Sequence, residues 1–240
     1  MLNRLAAEGG SRIEPSGMGL FRGPRLVAGR VKRSALMAGH TLHRGFRVAF
    51  QRLRGRADYA RWSDPVNLER WWETRTQKLA SLVPPHSRVV EFGAGRERLR
   101  AYLPPGCEYF PSDLTRRSAG TILCDLNTRP LPDLRHLSAD IAIFGGVLEY
   151  LTDVRGVVAW LATQVPQVIV SYDHPKQRAR TIRRLVERMR RFYFGYMNDI
   201  SLETLIASFD REGFRCTATD VWTTQTILVF AQERSSDPHT

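Results

Sequence analysis

The sequence predicts an α/β fold: a doubly wound sheet of seven mostly parallel strands in which only the last strand runs antiparallel. Short apolar segments alternate with segments of helical periodicity between residues 58 and 233. The first apolar segment runs into a glycine-rich turn that opens a helix. The last two strands are joined near Thr223 and Thr224, and a link this short allows only antiparallel pairing.

The elements alternate along the chain. Apolar runs that end in glycine, proline or acidic residues predict strands over 88–92, 107–111, 121–124, 140–145, 167–172, 214–221 and 226–231. Helical spacing of apolar residues predicts helices over 97–103, 154–163, 181–193 and 201–212.

A further helix is predicted ahead of the first strand. Ser63 or Asp64 can cap it, with Pro65 at its first position. Leu68, Trp71, Trp72, Leu79, Leu82 and Val83 form its apolar stripe, and two prolines after Val83 end it.

The positive charge is concentrated at the N-terminus. The formal net charge is +12, and residues 1–57 hold twelve Arg and Lys against two acids, so +10 of it lies there. We therefore predict three regions: a basic, partly disordered extension over 1–57, a globular domain over 58–233, and a disordered tail over 234–240. The Arg-rich start also resembles an organelle transit peptide.

Within the extension, residues 36–54 predict a short basic amphipathic helix. Leu42, Phe46, Phe50 and Leu53 fall on one face at helical spacing. Docking on the domain, contact with an anionic membrane through residues 36–56, and nucleic-acid binding are the three interpretations, the last the least favoured.

Three widely spaced cysteines form no CxxC pair and no Cys/His cluster, so the sequence predicts no metal site and no disulfide framework. No apolar run approaches the roughly 18 residues that a membrane span needs. Together these features favour a cytoplasmic protein, with peripheral membrane contact as the alternative.

The residues most informative about function begin in the first strand. A buried strand delivers Glu91, then the turn Gly93-Ala94-Gly95, then a helix. Glycines let the backbone turn sharply and approach a ligand, and a helix start offers free N–H groups. Arg98 stands where a dinucleotide fingerprint has its third glycine, which is unfavourable for a pyrophosphate ligand.

Acidic residues also end the next two strands. Asp113 lies where a carboxylate can bind both ribose hydroxyls. Asp125 can accept a bond from an adenine amino group, with Leu126 covering the ring. The fourth strand ends at Gly145, within the sequence 144–151 that opens a cleft and starts a helix.

At these positions the chain resembles the class I, Rossmann-like methyltransferases that use S-adenosylmethionine. Five parts of the chain match family motifs, in the order in which the family has them: residues 91–95, Asp113, the pair 125–126, residues 145–150 and the segment 196–214. The resemblance implies an enzyme that binds S-adenosyl-L-methionine through Glu91, Gly93, Gly95, Asp113, Asp125, Leu126 and Gly145. One position departs from many members, since Glu97 stands where they have glycine.

The acceptor is less determined. Glu149 and His174 follow strands four and five at the rim of the cleft, so both are candidate catalytic bases. A second basic cluster, over residues 176–191, is either a solvated helix face or a recognition surface for an anionic acceptor, such as a small molecule, a phosphorylated or acidic glycan, a lipid head group or nucleic acid. A non-catalytic scaffold of the same fold and a nicotinamide-dependent oxidoreductase are the alternative functions.

Overall fold

A computed structural model describes Phe50, Arg54 and residues 58–68, 72–176 and 181–233. The predicted extension over 1–57 with its amphipathic helix lies outside these residues, apart from Phe50 and Arg54. The predicted tail over 234–240 also lies outside them. No helix of the described part is both long enough and apolar enough to cross a bilayer.

The described residues form one seven-stranded sheet in the order β3-β2-β1-β4-β5-β7-β6. Its strands are β1 Arg88–Phe92, β2 Glu108–Asp113, β3 Ile122–Leu123, β4 Ile141–Gly145, β5 Gln167–Tyr172, β6 Phe214–Trp222 and β7 Gln225–Gln232. Strands β1 to β5 pair in parallel, and β7 pairs antiparallel with both β5 and β6. The predicted sheet is therefore confirmed, including its single antiparallel strand.

Helices cover both faces of the sheet. They are α1 Tyr59–Ser63, α2 Glu73–Ala80, α3 Val154–Leu161, α4 Thr181–Phe194 and α5 Leu202–Arg211. Apolar residues of α3 and α5 pack with one set of strand side chains, and those of α2 pack with the set on the other face. Because β4 is buried on both faces, its sequence is a continuous apolar run rather than an alternating one, whereas the equally buried β1 includes Glu91.

The prediction of a single helix that starts at Pro65 is wrong. The chain instead forms α1 (Tyr59–Ser63), capped by the Asp58 side chain, then a 3-10 turn at Pro65–Asn67, and only later α2 (Glu73–Ala80). Asp64 has extended backbone angles, φ −80° and ψ 115°. A residue before proline avoids the helical region for steric reasons, so the first helix must end there.

The helix predicted over 97–103 is only a 3-10 turn, Arg98–Ala101. Glu97 before it has φ 53°, in the left-handed region that side chains rarely adopt. Its carboxylate accepts hydrogen bonds from Ser118 (2.7 Å) and Thr121 (3.1 Å), which holds it there. Glycine adopts this backbone conformation without strain, whereas a glutamate needs such contacts to be held in it.

Strand order positions the functional site. Strand β1 lies between β2 and β4, so the connections after β1 and β4 leave towards opposite faces of the sheet. The segments that follow these two paired strands therefore separate, and ligands of open α/β sheets bind in the crevice that forms between them.

Candidate functional site

A cavity of about 400 Å³ opens at the carboxyl edge of the sheet. All seven residues that the sequence assigned to cofactor binding line it: Glu91, Gly93, Gly95, Asp113, Asp125, Leu126 and Gly145. Of the two candidate bases, Glu149 also lines it. Residues from four separate strand ends thus meet around one space.

The glycine loop after β1 is shaped by close packing. Gly93 and Gly95 have φ values of 67° and 52°, in the left-handed region. A Cβ on Gly93 would lie 2.6 Å from the Val147 side chain, so only glycine fits. Gly95 N donates to Asp113 Oδ2 at 2.8 Å, which ties the loop to the end of β2.

Two acids at the ends of β2 and β3 are held in place by backbone donors. Asp113 is buried and accepts one hydrogen bond at each oxygen, from Gly95 N and, at 3.2 Å, from Thr115 N. Asp125 Oδ1 accepts from Asn127 N (2.9 Å), and its Oδ2 accepts from the hydroxyls of Tyr59 (2.8 Å) and Thr128 (3.1 Å). Each carboxylate oxygen can accept about two hydrogen bonds, so both acids keep acceptor capacity for a ligand.

A buried arginine, Arg75 of α2, also lines the cavity. A Cβ on Gly146 would lie 2.5 Å from Arg75 Nη1, so glycine there makes room for the guanidinium. Nη1 donates to Gln225 Oε1 at 3.3 Å, whereas Nε is buried with no hydrogen-bond partner among the described residues. Burial lowers the pKa of Arg75, and the negative charges of Glu149 and Glu91 oppose that shift.

Sequence reasoning missed Arg75, although a signal was present. Arg75 stands three residues after Trp72 and four before Leu79, on the apolar face of the helix. A charged residue on a face otherwise used for packing has to be paired, functional, or directed into a cavity.

Glu91 lies beside this arginine at the end of β1. The Tyr109 hydroxyl donates to Glu91 Oε2 at 2.5 Å. Burial raises the pKa of Glu91 to about 8, and the bond from Tyr109 and the charge of Arg75 act against that rise. The carboxyl group is therefore poised to ionise when a cation comes close to it.

Glu149 is fully buried in a 3-10 turn after β4. Its Oε1 accepts a hydrogen bond from Asp173 N at 2.7 Å, and its Oε2 has no partner among the described residues. Burial raises its pKa to about 7. A carboxyl group with that pKa and a free oxygen can accept or release a proton near neutral pH.

His174, the other candidate base, is not among the residues that line the cavity. Its Nδ1 lies 3.3 Å from the carbonyl oxygen of Pro175. The preceding residue, Asp173, lines the cavity. Asp173 Oδ2 accepts from Arg190 and Tyr196, both at 3.0 Å.

Aromatic side chains form the wall of the cavity near these two acids. The Trp62 and Tyr150 rings meet edge to face with centroids 5.0 Å apart, and Tyr150 meets Tyr196 in the same way at 5.3 Å. Phe194 of α4 stacks on Tyr196 at 6.1 Å. This end of the cavity is apolar and aromatic, with Glu149 as its buried acid.

No family model matches the sequence, and no curated protein matches it. Solved structures do match in fold. Mitomycin 7-O-methyltransferase superposes with a TM-score of 0.53 at 17% identity, over 70% of this chain and 56% of that one. A putative O-methyltransferase from Nostoc punctiforme gives a TM-score of 0.57 at 13% identity, over 80% of this chain and 69% of that one.

Human N-acetylserotonin methyltransferase, solved in complex with S-adenosylmethionine, gives a TM-score of 0.56 at 14% identity, over 81% of this chain and 68% of that one. The described domain therefore has the fold of class I S-adenosylmethionine-dependent methyltransferases. At these identities the likeness concerns the fold, and the chain spans only about half the length of the mitomycin enzyme.

Proposed function

We propose that this protein transfers a methyl group from S-adenosylmethionine to a small-molecule acceptor. One observation carries the proposal: the residues that resemble the family's cofactor motifs, though scattered from Glu91 to Gly145 in the sequence, all line one cavity at the carboxyl edge of the sheet. If these separate motifs resembled the family only by chance, there would be no reason for their residues to line the same cavity.

The lining fits the parts of the cofactor in order. Asp125 and Leu126 suit the adenine, as an acceptor for its amino group and an apolar cover. Asp113 retains acceptor capacity for ribose hydroxyls. Glycine at position 93, where a Cβ would strike Val147, leaves the backbone close to the ligand.

The methionine end suits Arg75 and Glu91. Arg75 Nε is buried without a partner among the described residues, and a ligand carboxylate would supply one. Glu91, whose pKa burial raises to about 8, would ionise beside a ligand ammonium. An amino-acid group carries both of these charges, so it matches this pair of side chains.

When bound, S-adenosylmethionine supplies an electrophilic methyl group on a sulfonium. The protein then has to orient the acceptor and exclude water, which the aromatic wall of Trp62, Tyr150 and Tyr196 would do. Glu149 is the proposed general base, because its Oε2 is free to accept the acceptor's proton. The bond from Asp173 N to Oε1 holds that carboxylate in place.

This lining favours an acceptor with a hydroxyl or amine group on a partly apolar molecule. Glu149 and Asp173 would repel an anionic acceptor. Of the described residues in the basic cluster over 176–191, only Arg190 lines the cavity, and it is paired with Asp173 and Glu187. The basic cluster over 176–191 therefore gives little support to the anionic acceptor that the sequence left open.

Calorimetric titration with S-adenosylhomocysteine and, separately, with NADH tests the proposal. We expect S-adenosylhomocysteine to bind and to raise the melting temperature by mass action. Asp113→Asn should weaken binding at least about tenfold by removing a charged ribose acceptor, whereas the matched control Asp133→Asn, an exposed acid outside the cavity, should not. Binding of NADH alone would favour the oxidoreductase, and binding of neither ligand would favour a scaffold.

A further inference from the structure

Helix α4 (Thr181–Phe194) turns an apolar stripe towards solvent. The exposed fractions are 79% for Ile182, 61% for Leu185, 60% for Val186, 65% for Met189 and 41% for Tyr193. At about 100° per residue these five side chains fall within an arc of about 100°. Amphipathic helices of globular proteins normally turn such a stripe to the core, and this one does the opposite.

The opposite side of α4 anchors the helix to the domain. Arg191, half a turn around the helix from Ile182, is 1% exposed. Its guanidinium donates to Asp199 Oδ1 (2.7 Å), to Asp173 O (2.5 Å) and to Asn198 O (3.0 Å). Rotating the apolar stripe inward would break all three bonds of a buried cation, so the stripe stays outside.

Positive charge surrounds the stripe. The helix carries five arginines and a single acid, Glu187. Arg190 is bound to that acid at 2.8 Å and to Asp173 at 3.0 Å, and Arg191 is bound to Asp199, so these two arginines add little net charge to the surface. Arg188 is exposed on one side of the stripe. A surface that binds α4 therefore has to be both apolar and anionic.

We propose that α4 is an interfacial helix that docks this protein on an anionic lipid surface. Such a bilayer offers acyl chains for the stripe and negative headgroups for the arginines. A second copy of α4 would bring an equally basic helix against the first, and residues 1–57 bring a further +10. Nucleic acid would pair with the arginines but would leave the aliphatic side chains in water.

Helix α4 lies next to the cavity as well as at the surface. Arg190 and Phe194, near the end of the helix, line the cavity. The element that faces lipid is thus also a wall of the candidate active site, so docking brings the cavity close to the membrane surface. The lipid proposal itself does not depend on methyl transfer, and binding can be measured without any acceptor.

Flotation of the full-length protein with vesicles tests this proposal. We expect binding to vesicles of equal parts phosphatidylcholine and phosphatidylglycerol, weakened by salt, and none to phosphatidylcholine alone. The double variant Leu185→Gln/Met189→Gln should lower the partition coefficient at least about tenfold. Its matched control is Val66→Gln/Val221→Gln, two equally exposed apolar residues outside α4, and this should bind as wild type.

Charge-reversal variants test whether vesicle binding depends on the arginines of α4 or on basic residues elsewhere. Arg188→Glu should weaken binding roughly five- to tenfold at low salt, and Arg155→Glu, an exposed arginine of α3, should change it little. Wild-type binding by the α4 double variant would overturn the proposal. Stronger binding to single-stranded RNA than to vesicles, if the double variant abolished it, would also overturn the proposal. So would a dimer of the wild-type protein that the double variant converts to a monomer in sedimentation.

Discussion

At the scale of single residues, the cavity is defined by buried charges whose partner sets are incomplete. Arg75 Nε, Glu149 Oε2 and Asp173 Oδ1 are buried without a hydrogen-bond partner among the described residues. Each such group costs about 1–3 kcal/mol in folding free energy. A ligand that supplied the missing partners would offset that cost, so we propose these three atoms as points of ligand binding.

The first prediction concerns Arg75. Arg75→Met should weaken S-adenosylhomocysteine binding about tenfold to a hundredfold, because a charged hydrogen bond contributes about 1.5–3 kcal/mol. Arg75→Lys should be intermediate, since lysine keeps the charge but loses the planar fork. Calorimetric titration measures both variants.

Methylthioadenosine, which lacks the amino-acid group, is the control ligand for Arg75. Its affinity should be unchanged in Arg75→Met and reduced in Asp113→Asn, because Asp113 faces the ribose that both ligands share. Equal losses for the two ligands in Arg75→Met would show that Arg75 acts on the cavity as a whole rather than on a carboxylate.

The second prediction concerns Glu149 and pH. Its pKa is about 7 in the folded protein against 4.5 for an ordinary glutamate, so the folded state binds the extra proton between those values. The stability that this proton provides is lost as pH rises from about 4.5 to about 7. Glu149→Gln removes that dependence, so over this window the variant should gain up to roughly 3 kcal/mol relative to wild type.

Urea unfolding at a series of pH values measures this difference. The exposed Glu108→Gln is the control, and its difference from wild type should show no comparable trend. A difference between Glu149→Gln and wild type that stays constant from pH 4.5 to pH 7 would contradict a raised pKa at this position.

At the scale of elements, the segment after α4 supports the turn that carries Glu149. Asn198 Nδ2 donates to the carbonyl oxygens of Leu148 (2.7 Å) and Leu151 (2.8 Å), on either side of that turn. Met197 N donates to Glu149 O at 2.7 Å. Hydrogen bonds from residues 197 and 198, distant in the sequence, to the backbone of this turn therefore position the proposed base.

The third prediction follows from this contact. Asn198→Asp keeps an oxygen for the Tyr172 hydroxyl but loses both amide donors, so it should reduce the free energy of unfolding by about 1–3 kcal/mol. It should also shift the pH dependence attributed to Glu149. Ser201→Ala removes only the cap of α5, at a cost of about 1 kcal/mol, and should leave that pH dependence unchanged.

At the scale of the whole molecule, charge and cofactor motifs occupy different parts of the chain. Residues 1–57 account for +10 of the net charge of +12, while every residue proposed to bind the cofactor lies between Arg75 and Gly145. With α4 proposed as a lipid-binding surface, the basic extension would add electrostatic attraction to a surface that the domain already recognises.

The fourth prediction separates these parts. Deleting residues 1–56 should leave the S-adenosylhomocysteine affinity within a few-fold and should weaken, without abolishing, flotation with anionic vesicles, because α4 remains. Calorimetry and flotation on the same preparation measure both effects. Loss of cofactor affinity in a truncated protein that is still folded would mean that the extension belongs to the active site.

The strands were predictable because their signal is local. Apart from the largely exposed β6, each is a short, mainly apolar run followed by glycine, proline or an acid. The short link between the last two strands determines their relative direction. The helices before and after β1 were less predictable. A proline at 65 looked like a helix start, and the left-handed backbone at Glu97 depends on contacts with Ser118 and Thr121 from the other side of β2.

The sequence by itself determined the sheet, its one antiparallel strand and the carboxylates and glycines at the strand ends, because spacing and residue type encode them locally. Only the tertiary structure decided which side chains enter the cavity. In that structure Arg75 of α2 lies beside Gly146, Asp173 rather than His174 lines the cavity, and the apolar face of α4 is exposed. The direction of a side chain depends on what packs behind it, as the bonds of buried Arg191 show, and those partners lie too far along the chain for local spacing to reveal them.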